Sequence, residues 1–536
     1  MEDATTNETP TETPEAAPDS KTDPNSAQMW RGRIARCKRT REDLIKAWAD
    51  LVDRRRGKPF GQESDTDRVN VNLDWSLTKG KHTQLASQMP QVYLTPKIEE
   101  IKQLLGPFAQ RLNDVLTKAE IGAAADESVL DAINASGIGV VLASYDSTFV
   151  MKDMPIDPAN PLLTMPTKQI IDRKYSVRRL SPSDLLWPTE FEGSNFDDCD
   201  WLGHSGCMFW SQAKREFNLT DEDKEKILGA KGTTDNLRDD TDGEYSSDDP
   251  VVEYDEIFYW THRFVEDEKY FKKISRIVFV KGKKEPVVNE EWKGQKFDST
   301  TGKYTGSCKF PIRILTLTYI SDDAIPPSDS AIVTPQIEEL IKSRTQMIMQ
   351  RDRSMPIRWG NTNLLDPDVI STFMRGEYQA VIPTNGDGER ALGEIARANY
   401  PPEDFAFDKV IKGDITEQFG AGANQVGVYS QGEKSASEAK IVQANFQTRV
   451  SYERARVGKF IVGIAEVIGG FIALYEDDVD PLIKQNSGEI LYYIRPDSTV
   501  LLDAEQRIEK LMKLLNLVGK SGFINPEPII NEIVAL

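Results

Sequence analysis

Apolar positions follow helical spacing at both ends of the chain and strand spacing in its middle. Near the start, Leu44, Trp48 and Leu51 recur every three or four residues, predicting one amphipathic helix over residues 28–58. Residues 70–150 alternate: a helical run, NLDWSLTKGKHTQLASQMP, the short strand QVYLTP, one long helix near 108–135, and the apolar strand GIGVVLASYD. From Tyr175 to Tyr319 the segments YSVRRLSPSDLLWP, DPVVEYDEIFYWTHRF, ISRIVFVKG and FPIRILTLTYI read as strands separated by polar turns. Asp235 to Asp249 interrupts them with seven acids and one Arg, the pattern of a surface loop.

Beyond Ile325 the period changes to that of long helices. Thr334 with Pro335 after it predicts a helix start, and Ile337, Leu340, Ile341 and Ile348 line one face until Pro356 stops it. A non-helical insert, 356–401, holds Trp359, several Gly and Pro residues and one strand, YQAVIP. A second helix places Phe407, Val410, Ile411, Ile415 and Phe419 on one face. The loop GAGANQVGVYSQGEK then leads to a third helix, where Ser435 and Glu438 have capping-box spacing and Val442, Phe446 and Val450 point inward. The apolar run Val457 to Tyr475 contains Lys459, Glu466 and glycines and reads as a buried helix, not a membrane span. After Asp503 two short helices are expected, the second opening at Asn525 and Pro526.

Composition narrows the function classes. At 536 residues the chain exceeds a single core, so several units are expected, and a mean hydropathy of -0.48 describes a globular surface. A net charge of -20 argues against tight binding of nucleic acid, which needs clustered Lys and Arg, but suits a surface past which a polyanion slides. Residues 1–27, rich in Thr, Pro and acids, are expected to be disordered, and carry no basic stretch followed by an apolar one, so no secretion signal is expected. Between Gln28 and Lys58 the balance reverses to eleven Lys or Arg against four acids. That basic helix face is either solvated or meets an acidic partner or DNA.

Catalytic motifs fail on their chemistry. GVYSQGEKS, Gly427 to Ser435, approximates a phosphate-binding loop, but Glu433 separates Gly432 from Lys434 and would set a carboxylate against the phosphates. Cys199, His204 and Cys207, with Cys308 as a distant fourth, match no common zinc spacing and read as ordinary loop residues. Four scattered cysteines form no disulfide framework and suggest a reducing compartment. With three histidines and no nucleophile setting there is no triad, so no enzyme activity, metal or cofactor is expected.

The order of elements, an α+β region, helix, insert, helix, Gly-rich loop, long capped helix and helical tail, resembles the portal (head-to-tail connector) family of tailed bacteriophages, especially the short-tailed type. Four segments carry the likeness: QMPQVYLTP (Gln88–Pro96), ASGIGVVLASYD (Ala135–Asp146), RRLSPSDLLWP (Arg178–Pro188) and, most strongly, GEKSASEA (Gly432–Ala439). Two segments depart from it: ISDDAIPPSDSAIV (Ile320–Val333) stands where many relatives have a short Tyr-Gly-x-Ser turn, and the acidic loop at 235–249 has no counterpart.

The resemblance implies an α+β portal fold. Residues 1–27 would be an acidic tail, 28–333 the wing, 334–355 the first stem helix and 356–401 the clip. Residues 402–419 would be the second stem helix, 420–434 the tunnel loop, 435–502 the long helix and return to the wing, and 503–536 a helical crown. It implies a structural ring of roughly twelve subunits at one capsid vertex, as heterologous contacts generate. Double-stranded viral DNA passes through during packaging and ejection. The terminase large subunit, major capsid and scaffolding proteins and a tail adaptor dock outside, in the virion and, during assembly, in the host cytoplasm, with no membrane partner. Channel contacts would fall on Asn424, Gln425, Val426 and Tyr429, and phosphate contacts on Arg344, Arg351, Arg353, Lys409 and Lys412. An inter-subunit ion pair or a solvated face competes for each basic residue. Trp359, Asp366, Asp368 and Arg375 would meet clip partners. The competing readings are a DNA-acting NTPase or nuclease subunit, and another virion scaffold protein.

Overall fold

The computed structural model describes residues 24–57, 71–86, 90–157, 160–229, 250–264, 270–298, 303–354, 357–374, 385–395, 402–419 and 436–494, with 512, 513 and 515. The fold is α+β. In the first part, α1 (Pro24–Thr40), α2 (Glu42–Arg55) and α3 (Leu73–Leu85) precede β1 (Val92–Pro96), α4 (Leu105–Lys118) and α5 (Ile121–Asn134). The predicted single basic helix is two helices, and Leu44 stays exposed while Trp48 and Leu51 are buried. The predicted 108–135 helix is also two, because Glu120 adopts a left-handed conformation (φ 52°) between α4 and α5.

Two sheets follow. β2 (Ile138–Asp157) and β3 (Asn160–Leu180) form a hairpin far longer than the strands expected there. β4 (Leu185–Leu186), β5 (Trp201–Phe209), α6 (Trp210–Glu216), α7 (Asp221–Gly229), β6 (Val251–Phe264), β7 (Tyr270–Val280) and β8 (Val288–Glu291) come next, the five strands making an antiparallel sheet in chain order. Tyr254, Val278 and Val280 on one face bury against Trp210, Ala213 and Phe217 of α6 and its C-terminal edge. The helices α6 and α7 lie within the region read as strands alone; with seven and nine residues they are too short for a clear helical period. The small pair β9 (Gln295–Asp298) and β10 (Lys303–Gly306) precedes β11 (Ile312–Thr316), which pairs with the root of β2.

The last part is helical. α8 (Asp329–Ser354), β12 (Ile357–Gly360), α9 (Pro367–Met374), β13 (Leu392–Ile395) and α10 (Pro402–Phe419) precede the 40-residue α11 (Ala436–Tyr475), α12 (Pro481–Gln485) and β14 (Ile490–Ile494), which pairs with β1. Thr334 does not cap α8. The helix starts a turn and a half earlier, where the Ser328 hydroxyl accepts from the Ala331 N–H (3.1 Å), and Thr334 donates to the Ser330 carbonyl inside it. Pro335 sits within the first two turns. The insert's strands are IRWG and LGEI; YQAVIP lies outside the described residues, as do most of the tail after Asp503 and Ser435. Glu438 is in α11, its side chain outside what is described.

α11 is the axis of the core. Ile464, Ala465, Val467, Ile468, Ile472 and Ala473 have no solvent exposure, and helix, sheet and hairpin residues pack around them in one cluster. Val450–Tyr475 is long and apolar enough to cross a membrane, but 78% of its most apolar window is buried inside the fold. Glycines let neighbours approach this helix: a Cβ on Gly470 would meet the backbone of Ser307, and one on Gly463 would come within 2.6 Å of the Arg313 guanidinium.

Candidate functional site

The α8/α10 helix pair is the natural place to look for a working surface. Its inner seam comes from Ile337, Leu340, Ile341 and Thr345 of α8 and Ile411, Ile415 and Phe419 of α10, all buried. Above the seam, Arg344 donates to Asp408 through Nε and Nη2 (3.1 and 2.9 Å), and Lys412 reaches the same carboxylate at 3.0 Å. Burial disfavours the ionised Asp408, yet the hydrogen bonds from Arg344 and Lys412 outweigh it and hold the carboxyl below its usual range. Two of the five predicted phosphate contacts are therefore engaged within one copy, clamping one helix to the other. Lys409 and Arg351 stand exposed, and the Arg353 side chain is outside the described residues.

The outer face of the pair departs from the predicted stripe. Phe407 and Val410, expected inward, are 50% and 55% exposed, and Met349 of α8 is exposed too. The α10 seam uses positions 411, 415 and 419, and at about 100° per residue 407 and 410 both turn to the same side of it once the helix meets α8. Among the described residues, one copy leaves these side chains without cover.

In the insert, β12 and β13 pair Trp359 with Gly393, and the indole lies across that glycine, where a Cβ would clash with it. Trp359 remains 44% exposed, fit for a partner contact. Asp366 and Asp368 are exposed at the start of α9: the Asp366 carbonyl accepts from Val369 (3.0 Å) and Ile370 (3.2 Å), and the Asp368 carbonyl accepts from the Ser371 hydroxyl (2.8 Å). Arg375, Asn424, Gln425, Val426 and Tyr429 lie outside the described residues, as does the Gly427–Ser435 motif. The zinc-like spacing is spread out: Cys199 is buried before β5, His204 is buried in it, and Cys207 is exposed further along. Among the described residues the His204 ring nitrogens make no hydrogen bond, and the Glu256 carboxylate lies 3.6 Å from Nε2.

A junction that sequence reading missed ties this helix pair to the rest. Lys81 of α3 reaches Asp329 at the start of α8 (2.8 Å) and Glu453 of α11 (2.7 Å), with its ammonium 5.9 Å from the ring of Phe419, the last residue of α10. At the next residue of α8, Ser330 donates to the buried Asp74 of α3 (2.6 Å). Desolvation opposes the charge on Lys81, but Asp329 and Glu453 override it and raise its pKa. The basic α1 and α2 are likewise spent inside the chain. Lys38 pairs with Asp255 (2.6 Å), Arg36 with Glu190 (2.6 Å), Arg41 donates to the Leu185 carbonyl, and Arg55 stacks on Trp75. A lysine at helical spacing gives no hint of such partners, which come from distant parts of the chain.

No family model and no curated protein sequence matches this chain.

Proposed function

We propose that the chain is a subunit of a phage-type portal, a non-enzymatic ring through which double-stranded DNA enters and leaves a capsid. The observation that carries this reading is the clamped α8/α10 pair. Its apolar seam is satisfied within the copy, while Phe407, Val410 and Met349 face outward, as expected of a stem helix pair that packs against neighbours. The small β12–α9–β13 insert between the paired helices occupies the clip position, with Trp359 available to a docking motor. The 40-residue α11 occupies the position of the long helix that follows the tunnel loop. In this reading the exposed Lys409 is the candidate to face DNA, whereas Arg344 and Lys412 set the angle of the stem.

Native mass spectrometry with end-on negative-stain images tests it. A closed ring of roughly twelve copies with a central hole is the expected result. A compact dimer without a hole overturns the proposal.

A further inference from the structure

The chain enters the α8/α10 pair across a proline. Pro335 lies inside α8, and because proline has no N–H it leaves the Ala331 carbonyl without the donor that the helix ladder would supply. A helix with such a gap bends there more readily than along its intact turns. The two sides of this gap are held by different parts of the molecule. Before it, α8 belongs to the body: Lys81 of α3 holds Asp329 (2.8 Å), Asp74 of α3 accepts from Ser330 (2.6 Å), and the Ser328 hydroxyl, just ahead of the helix, donates to the Asn134 carbonyl at the end of α5 (3.2 Å). After it, α8 belongs to α10: Arg344 and Lys412 grip Asp408 across the pair. α10 returns to the same place, where Phe419 sets its ring 5.9 Å from the Lys81 ammonium, a contact that tolerates rotation. These attachments lie at one end of the pair, and the β12–α9–β13 insert hangs from the other.

Arg54, in the last turn of α2, stands across the gap. Its Nη1 donates to Thr334 Oγ1 (2.5 Å) on the body side, and its Nη2 lies 4.0 Å from Glu338 Oε1 on the far side. The Thr334 hydroxyl in turn donates to the Ser330 carbonyl (2.8 Å), which ties the guanidinium to the fixed turn of α8. The Arg54 side chain is 10% exposed, so water screens this contact weakly. At 4.0 Å the pair with Glu338 is at the outer limit of an ion pair: a small tilt of α8 one way closes it, and the other way breaks it.

We propose that Pro335 is a hinge on which the α8/α10 pair tilts as one unit, and that Arg54 of α2 is the latch that sets its resting angle. Ser354, the last residue of α8, lies about 30 Å beyond the proline along the helix, so a tilt of about 10° carries the insert about 5 Å sideways. The clamp on Asp408 stays closed during such a movement, because its groups lie on the moving side of the hinge. The inference uses the fold alone and stands whether or not the chain forms a ring.

Double electron–electron resonance on the full chain tests it. Spin labels go on Lys118→Cys in α4 and Lys409→Cys in α10, both exposed positions, with Cys207→Ser and Cys308→Ser removing the exposed thiols. Labelled chain is diluted into an excess of unlabelled chain, so that the distances read lie within one copy. Pro335→Ala restores the missing donor and should narrow the distance distribution about twofold. Arg54→Ala should widen it, and so should Thr334→Val, which keeps the shape of the side chain and removes only the hydroxyl that the latch holds. A width that Pro335→Ala leaves unchanged, or that neither Arg54→Ala nor Thr334→Val increases, overturns the proposal.

Discussion

Asp197 shows how single carboxylates hold the core elements together. Lys309 bonds to it at 2.7 Å, and Arg313 of β11 bonds to both its oxygens. Burial opposes its charge, but the hydrogen bonds and charges of Arg313 and Lys309 prevail and bring its pKa down to about 2. With a folded value below the unfolded one, its contribution is present above about pH 4 and disappears as pH falls through the folded value, an effect of about 2 kcal/mol. Urea unfolding at several pH values should show Asp197→Asn less stable than wild type near pH 7, with the gap closing near pH 2. A gap that does not change with pH would mean the residue acts through packing alone. Lys81 works in the opposite sense, because its raised pKa makes its contribution present below the ordinary lysine range and lost only as pH rises through the folded value. Lys81→Met leaves Asp329 and Glu453 facing each other with little water, and should cost about 3–5 kcal/mol in chemical denaturation.

At the scale of elements, α11 gives the sharpest contrast. Gly458 has room for a Cβ, with nothing outside its own helix within 4 Å, so Gly458→Ala should raise stability by about 0.5–1 kcal/mol through helix propensity. Gly470 has none, since the Ser307 backbone lies against it, and Gly470→Ala should cost about 1–3 kcal/mol by forcing α11 away from that loop. Melting temperatures that shift in opposite directions check both. Elements of this kind were legible in sequence wherever one period ran long enough. The buried Val457–Tyr475 run, the helix–insert–helix order and strands β6 and β7 follow from pattern, whereas β5, whose His204 and Cys207 were read as loop residues, and the four-residue β8 did not. What pattern missed has physical causes. The α1/α2 and α4/α5 breaks fall within continuous helical periodicity, at Arg41 and Glu120, neither a helix breaker by type. The outer part of the β2–β3 hairpin was missed because Pro155, Pro161 and Pro166 within it argue against strand in a sequence reading. In the candidate site, Arg344 and Lys412 looked like free cations because their partner Asp408 lies on another helix for one and is only one neighbour among many acids for the other.

For the whole molecule, charge decides how DNA could be handled. Each copy carries -20, so a ring of the proposed kind would present a strongly acidic body in which individual Lys and Arg are outnumbered. The cations of the α8/α10 pair are partly consumed, Arg344 and Lys412 by Asp408, and those of α1 and α2 by Glu190, Asp255 and other groups of the chain. Such a body gains little counterion-release energy from a duplex, since that energy scales with the number of phosphates neutralised. We therefore expect the purified protein to bind duplex DNA more weakly than about 10⁻⁴ M at physiological salt, at or beyond the weak edge of ordinary non-specific binding, with a shallow dependence on salt. Fluorescence anisotropy of a labelled duplex across a salt series measures this directly. Micromolar affinity that falls steeply with salt would mean a cationic groove dominates the surface, and would favour a DNA-gripping enzyme over a conduit. Weak binding that Lys409→Glu leaves unchanged would fit a wall that DNA passes without being held.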